Sequence, residues 1–182
     1  MKKRLALLQM DVHVNDVEYN YNRVQELLTQ SLTENPDIIV LPETWNTGFY
    51  PSTDLINIAD NNGDRTKALL SAFTKEHNVN IVGGSVAVSK DDLVFNTSYA
   101  YNREGTLVGE YSKMHGFSPA KEDKYFASGT HTTHFELDGI PCSTVICYDI
   151  RFPELVRMAA LPGTELLFVP AQWPTMRLRH WQ

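Results

Sequence analysis

The sequence predicts a single mixed α/β domain over residues 1–182, a sandwich of helices and sheets. Three observations carry this. Short strand-like and helix-like segments alternate along the chain without an intervening linker. The runs D-I-I-V-L at 37–41 and L-L-F-V at 166–169 are continuously apolar, as suits strands buried on both faces. Residues 93–111 hold two strand-like segments separated by turn residues, an antiparallel meander. With 182 residues, 42% hydrophobic and 21% charged, the chain suits one globular domain with a sizeable core.

Arg4 to Gln9 reads as the first strand. Asn15 with Glu18 three residues on has the form of a helix start. Val17, Tyr21, Val24 and Leu28 then share one helical face, and Pro36 closes the element. Asp37 to Leu41 is a buried strand stopped by Pro42, with Glu43 directly after it. Gly63 to His77 reads as a second helix with Leu69, Leu70 and Phe73 apolar. Asn80 to Val88, Leu93 to Tyr101 and Leu107 to Tyr111 read as strands, and 112–132 as irregular chain. Thr133 to Leu137 and Ile140 to Cys147 form a hairpin about Asp138-Gly139. Pro153 to Leu161 is a short helix opened by proline, and Leu166 to Val169 a last buried strand.

Charge and composition narrow the partners. A net charge of −6 argues against nucleic acid or an anionic membrane surface, both of which call for a basic face. The apolar run Leu5 to Leu8 is too short for a signal peptide, and no run reaches the length of a membrane helix, so a cytoplasmic location is expected. Cys142 and Cys147 lie five apart on one expected strand, hence on opposite faces, and are expected as free thiols.

Three polar residues fall just past expected strand ends, where sites gather in α/β sheets: Glu43, Lys113 and Cys147. Cys147 closes S-T-V-I-C and precedes a turn into a helix, the layout of a nucleophile elbow. The helix start nearby would favour the thiolate, and backbone N–H groups there would hold an oxyanion. On position alone a buried structural thiol accounts for Cys147 equally well. Glu43, as a carboxylate at a buried strand end, is costly unless paired or functional, and would move the proton. Alone it would read as a loop acid. Lys113 would stabilise a developing alkoxide, although a lone lysine after a strand is ordinarily a solvated surface group.

The motifs around these residues resemble the carbon–nitrogen hydrolase (nitrilase) family. L-P-E-T-W-N-T-G-F at 41–49 is similar to the motif of its general base, and Y-S-K-M-H-G-F at 111–117 to that of its lysine. V-I-C-Y-D-I-R-F-P-E-L at 145–155 resembles its nucleophile motif. P-A-Q-W-P at 170–174 and R-H-W at 179–181 resemble the pocket strand and following helix start. The resemblance implies an α-β-β-α sandwich and a Glu43-Lys113-Cys147 triad working without cofactor through a thioester. It implies Glu122 as a second, substrate-orienting glutamate, with Lys121 and Asp123 as competing alignments, and the Tyr148 backbone N–H as an oxyanion donor. Within the family the details look most like omega-amidases, which act on 2-oxoglutaramate and related omega-amides. Their far carboxylate asks for a cation, Arg151 or Arg177, unless Arg151 serves Asp149 or Glu154 instead. Trp45, Phe117 and Trp173 are candidate pocket walls, with plain core the competing reading. Family domains run on past R-H-W and usually dimerise, so the chain is expected to lack the C-terminal portion and much of that interface. The alternatives are another amidase or nitrilase specificity, or an inactive homologue serving as a binding or assembly module.

Rival chemistries have less support. His131 and His134 sit in a loop-to-strand stretch where their spacing does not converge on a metal, and neither H-E-x-x-H nor paired C-x-x-C occurs. His77, at the end of a helix, suits the dipole there. His115 as partner of Cys147 in a Cys-His dyad is the second rival, with a pocket or supporting role as the alternative. Gly83-Gly84 matches no nucleotide-binding turn.

Overall fold

The computed structural model describes residues 2–49, 54–173 and 175–180, with the side chains of Met176, Arg177 and His180 left aside. The strands are β1 (Leu5–Leu7), β2 (Ile38–Val40), β3 (Asp60–Asn61), β4 (Asn80–Val82), β5 (Val86–Lys90), β6 (Leu93–Tyr101), β7 (Leu107–Ser112), β8 (His134–Leu137), β9 (Ile140–Thr144) and β10 (Leu166–Phe168). The helices are α1 (Val17–Ser31), α2 (Leu55–Ile58), α3 (Asp64–His77) and α4 (Pro153–Ala160).

Seven strands form one sheet in the order β1-β2-β4-β6-β5-β3, with β7 also paired to β6. Strands β10, β9 and β8 form a second. Strand β2 shows how the layers arise. Ile39 and the following Leu41 join Tyr21, Val24 and Leu28 of α1 and Leu70 and Phe73 of α3 in one core. Ile38 and Val40 face the other way and pack with Phe135, Leu137, Cys142 and Phe168 of the second sheet. The outer face of that sheet is covered by Leu155 and Ala159 of α4, against Val145 and Leu167. The order is therefore helix, sheet, sheet, helix, as the resemblance implies.

Several boundaries differ from expectation for physical reasons. Helix α1 is capped by Asp16, whose side chain accepts from the Tyr19 N–H, while Asn15 takes a left-handed φ of 62° one residue too early to cap. The helix ends before Pro36, through a 3-10 turn closed by left-handed Asn35. The expected strand Asn80–Val88 is two strands, because Gly84 with φ +62° breaks it. A Cβ at Gly84 would lie 2.0 Å from the Pro42 carbonyl oxygen, so only glycine lets this bend approach the turn after β2. Strand β9 stops at Thr144, and Cys147 belongs to a 3-10 turn, Cys147–Arg151, rather than to the strand. Opposite faces of one strand therefore do not describe the two cysteines, although both are free and buried. The short α2 and β3 have no expected counterpart.

Among the described residues no helix is long and apolar enough to cross a membrane.

Candidate active site

Glu43 is placed by the Gly83-Gly84-Ser85 bend. Ser85 N–H donates to the Pro42 carbonyl (2.9 Å), Trp45 N–H to the Ser85 carbonyl (3.1 Å), and Thr44 N–H to Ser85 Oγ (2.9 Å). Trp45 is fully buried, edge-on to Tyr21, and its Nε1 donates to the Gly83 carbonyl at 2.9 Å. It belongs to the helix-side core and does not wall a pocket, because that hydrogen bond turns the indole away under the sheet. The expected pair Gly83-Gly84 thus builds the turn that carries Glu43.

Lys113 extends β7 by one residue. Its N–H donates to the Asn96 carbonyl of β6 at 2.9 Å, and Gly129 N–H donates to its carbonyl at 2.8 Å. The side chain is buried, and Nζ donates to Glu43 Oε1 at 2.8 Å and to Glu122 at 2.9 and 2.8 Å. Glu122 is buried while Lys121 and Asp123 on either side are exposed, so geometry separates the three. Its carboxylate also accepts from the Phe117 N–H at 2.7 Å. Burial works against the charge on Lys113, but the two carboxylates outweigh it and hold the ammonium above its ordinary pKa.

Two members of this cluster escaped the sequence. Asn96 Nδ2 donates to Glu43 Oε1 and to Glu122 Oε1, both at 3.1 Å, and so bridges the two carboxylates. Only strand alternation on β6, which sends Asn96 to the face opposite Phe95 and Thr97, would have singled it out. Gln172 N–H donates to Glu43 Oε2 at 2.9 Å, a backbone contact that carries no side-chain signal.

Cys147 is buried beside this cluster and adopts a left-handed φ of 48°. Its N–H is tied to the Pro170 carbonyl at 2.9 Å. Burial first, and then the Glu43 carboxylate, push the thiol well above its ordinary pKa, with Lys113 pulling the other way. The thiolate is therefore not favoured at rest, contrary to the expectation from a helix start nearby. The 3-10 turn that follows is too short to offset burial, so Cys147 needs a base beside it. Tyr111, Ile146, Met114, Ala171 and Trp173 pack in one apolar cluster with Cys147.

Phe117 stands edge-on to Tyr148 at 5.1 Å and tilted to Phe49 at 6.2 Å, an aromatic wall next to Lys113. Tyr148 follows the sulfur directly in the turn, so its N–H points from the same bend. Arg151 is exposed, and its guanidinium lies 5.7 Å from the Trp173 ring centroid. It is not the partner of Asp149, whose oxygens accept from Tyr111, His115 and Ile146. His115 bonds Asp149 through Nδ1 at 2.9 Å and stacks on Phe152 at 3.6 Å, so it supports the turn, while the charged groups that act on the Cys147 thiol are Glu43, Lys113 and Glu122. The Arg177 side chain, Pro174 and Trp181 lie outside the described residues. Among the described residues no group of three or more His, Cys, Asp or Glu side chains is arranged to hold a metal.

A sequence model described as carbon-nitrogen hydrolase matches residues 4–182. The chain belongs to that family. The 2-oxoglutaramate amidase of Bacillus subtilis is 40% identical over this whole chain, which spans 70% of that protein. A protein from Staphylococcus aureus described as a hydrolase in the agr operon is 33% identical, over 98% of this chain and 69% of its own length. A CN-hydrolase superfamily protein from Xanthomonas campestris, solved with an arsenic adduct in its active site, superposes with a TM-score of 0.86 at 29% identity. That likeness covers 98% of this chain and 68% of the other. The fold is thus the nitrilase-like sandwich, and the family is one of enzymes that hydrolyse carbon–nitrogen bonds.

Proposed function

We propose that the protein is a cofactor-free amidase that hydrolyses a small linear amide, with 2-oxoglutaramate and related omega-amides as preferred substrates. The observation that carries this reading is the buried ion cluster: one ammonium held between two carboxylates, with the buried Cys147 thiol alongside. Glu43 takes the thiol proton as Cys147 Sγ bonds to the amide carbon, so the costly free thiolate never accumulates. The carbonyl oxygen becomes an alkoxide that receives hydrogen bonds from Lys113 Nζ and the Tyr148 N–H. When the tetrahedral carbon collapses, the C–N bond breaks and Glu43 returns its proton to the departing nitrogen, which leaves as ammonia. Glu43 then deprotonates a water that attacks the thioester, and the acid leaves as the thiol is restored. Glu122 holds Lys113 and orients the amide. Phe117 and Trp173 flank the chain of the substrate, and Arg151 attracts its far carboxylate.

The similarity to a 2-oxoglutaramate amidase supports the substrate class. The test is ammonia release from 2-oxoglutaramate, glutamine, asparagine and a simple nitrile, run side by side with Cys147→Ala. Release fastest from 2-oxoglutaramate and absent in the variant is expected, with an acyl adduct on Cys147 trapped at low pH and weighed as intact mass. Equal release by wild type and Cys147→Ala would overturn the mechanism, and preference for the nitrile would overturn the substrate class.

A further inference from the structure

Asp149 is fully buried, yet its carboxylate faces no lysine or arginine among its hydrogen-bond partners. Such a group is expensive to bury unless its oxygens are satisfied. Four donors satisfy it: Tyr111 Oη at 2.7 Å, the His115 N–H at 2.9 Å, His115 Nδ1 at 2.9 Å and the Ile146 N–H at 3.0 Å. Three of these come from residues two before and two after Lys113. The fourth is the residue immediately before Cys147. The Asp149 N–H also donates back to the Ile146 carbonyl at 3.0 Å, so two hydrogen bonds close across the cysteine in opposite directions.

We infer that Asp149 is a positioning residue that clips the lysine segment 111–115 to the cysteine turn 146–149 and so fixes Lys113 relative to the Cys147 sulfur. The inference rests on the catalytic reading of those two residues. Physically, the left-handed backbone at Cys147 is uncomfortable for a residue with a side chain and persists only where its surroundings hold it. The reciprocal pair between Ile146 and Asp149 supplies that hold on the cysteine side. Tyr111 and His115 supply it on the lysine side, and His115 is itself kept in place by stacking on Phe152. A misplacement near 1 Å of a catalytic group costs about a hundred-fold in rate, so a buried anchor between the two segments has a functional return that an apolar filler would not. Tyr111 packs beside Cys147, but its hydroxyl is committed to Asp149, and neither residue takes part in the proton transfer or the oxyanion contacts proposed above. Their effect passes through Lys113 and Cys147.

The test is a cycle of Tyr111→Phe and Lys113→Met, read by the rate at which iodoacetamide alkylates Cys147 at fixed pH, with kcat and KM for the amide alongside. Tyr111→Phe deletes one hydroxyl, and folding is checked by circular dichroism. It is expected to lower kcat about ten-fold with KM nearly unchanged, and to slow alkylation by a few-fold. In the Lys113→Met background the same change should add nothing, because the partner being positioned is gone. Asp149→Asn should have a larger effect in the same direction. If it does not fold, the tyrosine cycle decides alone. Alkylation and kcat within two-fold of wild type in a folded Tyr111→Phe protein, or effects that multiply in the double variant, would overturn the clip. A wild-type chain that releases no ammonia would instead overturn the proposed activity, and the alkylation cycle would still decide the role of Asp149.

Discussion

Lys113→Met isolates the energetics of the buried ion cluster from its chemistry. The wild-type ammonium is 3% exposed and donates to two carboxylates that are themselves 0% and 1% exposed. Methionine matches the length of the stem but supplies no donor, and leaves Glu43 and Glu122 joined only through Asn96 Nδ2. Removing one partner from a buried pair typically destabilises by about 3–5 kcal/mol, because the remaining charge stays out of water. For a chain of this length each kcal/mol moves the midpoint by about 2–4 °C, so a fall of roughly 6–20 °C is expected. Urea unfolding followed by the fluorescence of buried Trp45 gives the free energy directly. The double variant Lys113→Met/Glu122→Gln should recover part of the loss, since one of the two stranded charges is gone. The pH dependence has a definite sign. A lysine held above its ordinary pKa contributes fully below the unfolded value and loses that contribution only as pH rises toward the folded one. The lysine's own contribution should therefore stay flat from pH 6 to about 10, and any change of the gap in that window comes from the two carboxylates left behind in the variant. A single variant within about 1 kcal/mol of wild type, or a double variant less stable than the single, would refute the reasoning.

Three further outcomes follow from the same geometry. Glu43→Gln should cut ammonia release by at least about a hundred-fold while moving the pH profile of Cys147 alkylation to lower pH, since the carboxylate pressing the thiol upward is removed; a shift to higher pH would contradict the assigned cause. Arg151→Met should raise KM for 2-oxoglutaramate only about five-fold and leave a neutral aliphatic amide unchanged, because an exposed cation is screened and contributes about 1 kcal/mol; equal effects on both amides would remove Arg151 from carboxylate binding. Gly84→Ala should cost about 2–4 kcal/mol in urea and lower kcat as well, because the added carbon meets the Pro42 carbonyl next to Glu43; an alanine variant of unchanged stability would show that the bend can yield.

Much of this was legible from residue types and their order. The run D-I-I-V-L announced a strand buried on both sides, and Ile38, Ile39 and Val40 do face two different cores. Strand β6 has its expected ends because turn residues bracket it on both sides. The meeting of Glu43, Lys113 and Cys147 followed from strand ends gathering at one rim. Charges within the site were less legible. The state of Cys147 depends on how deeply it is buried and what faces it, neither of which a motif states. Asn96 was hidden because an asparagine inside a strand has no signature until its neighbours across the sheet are known. Trp45 stayed open between pocket wall and core because a motif position does not say which side of the sheet an indole enters, and the structure decides for core. Gly84 looked like an unexplained pair member until its bend met Pro42.

The left-handed backbone at Cys147 sets two demands against each other at a single α-carbon. Glycine is the residue most at ease with that geometry, and it would remove the thiol on which the proposed reaction depends. A thiol at this place therefore carries a standing conformational cost that folding must absorb elsewhere, and a Cys147→Gly chain would fold more comfortably than Cys147→Ala while being equally inert. Selection for stability alone would erase the side chain first.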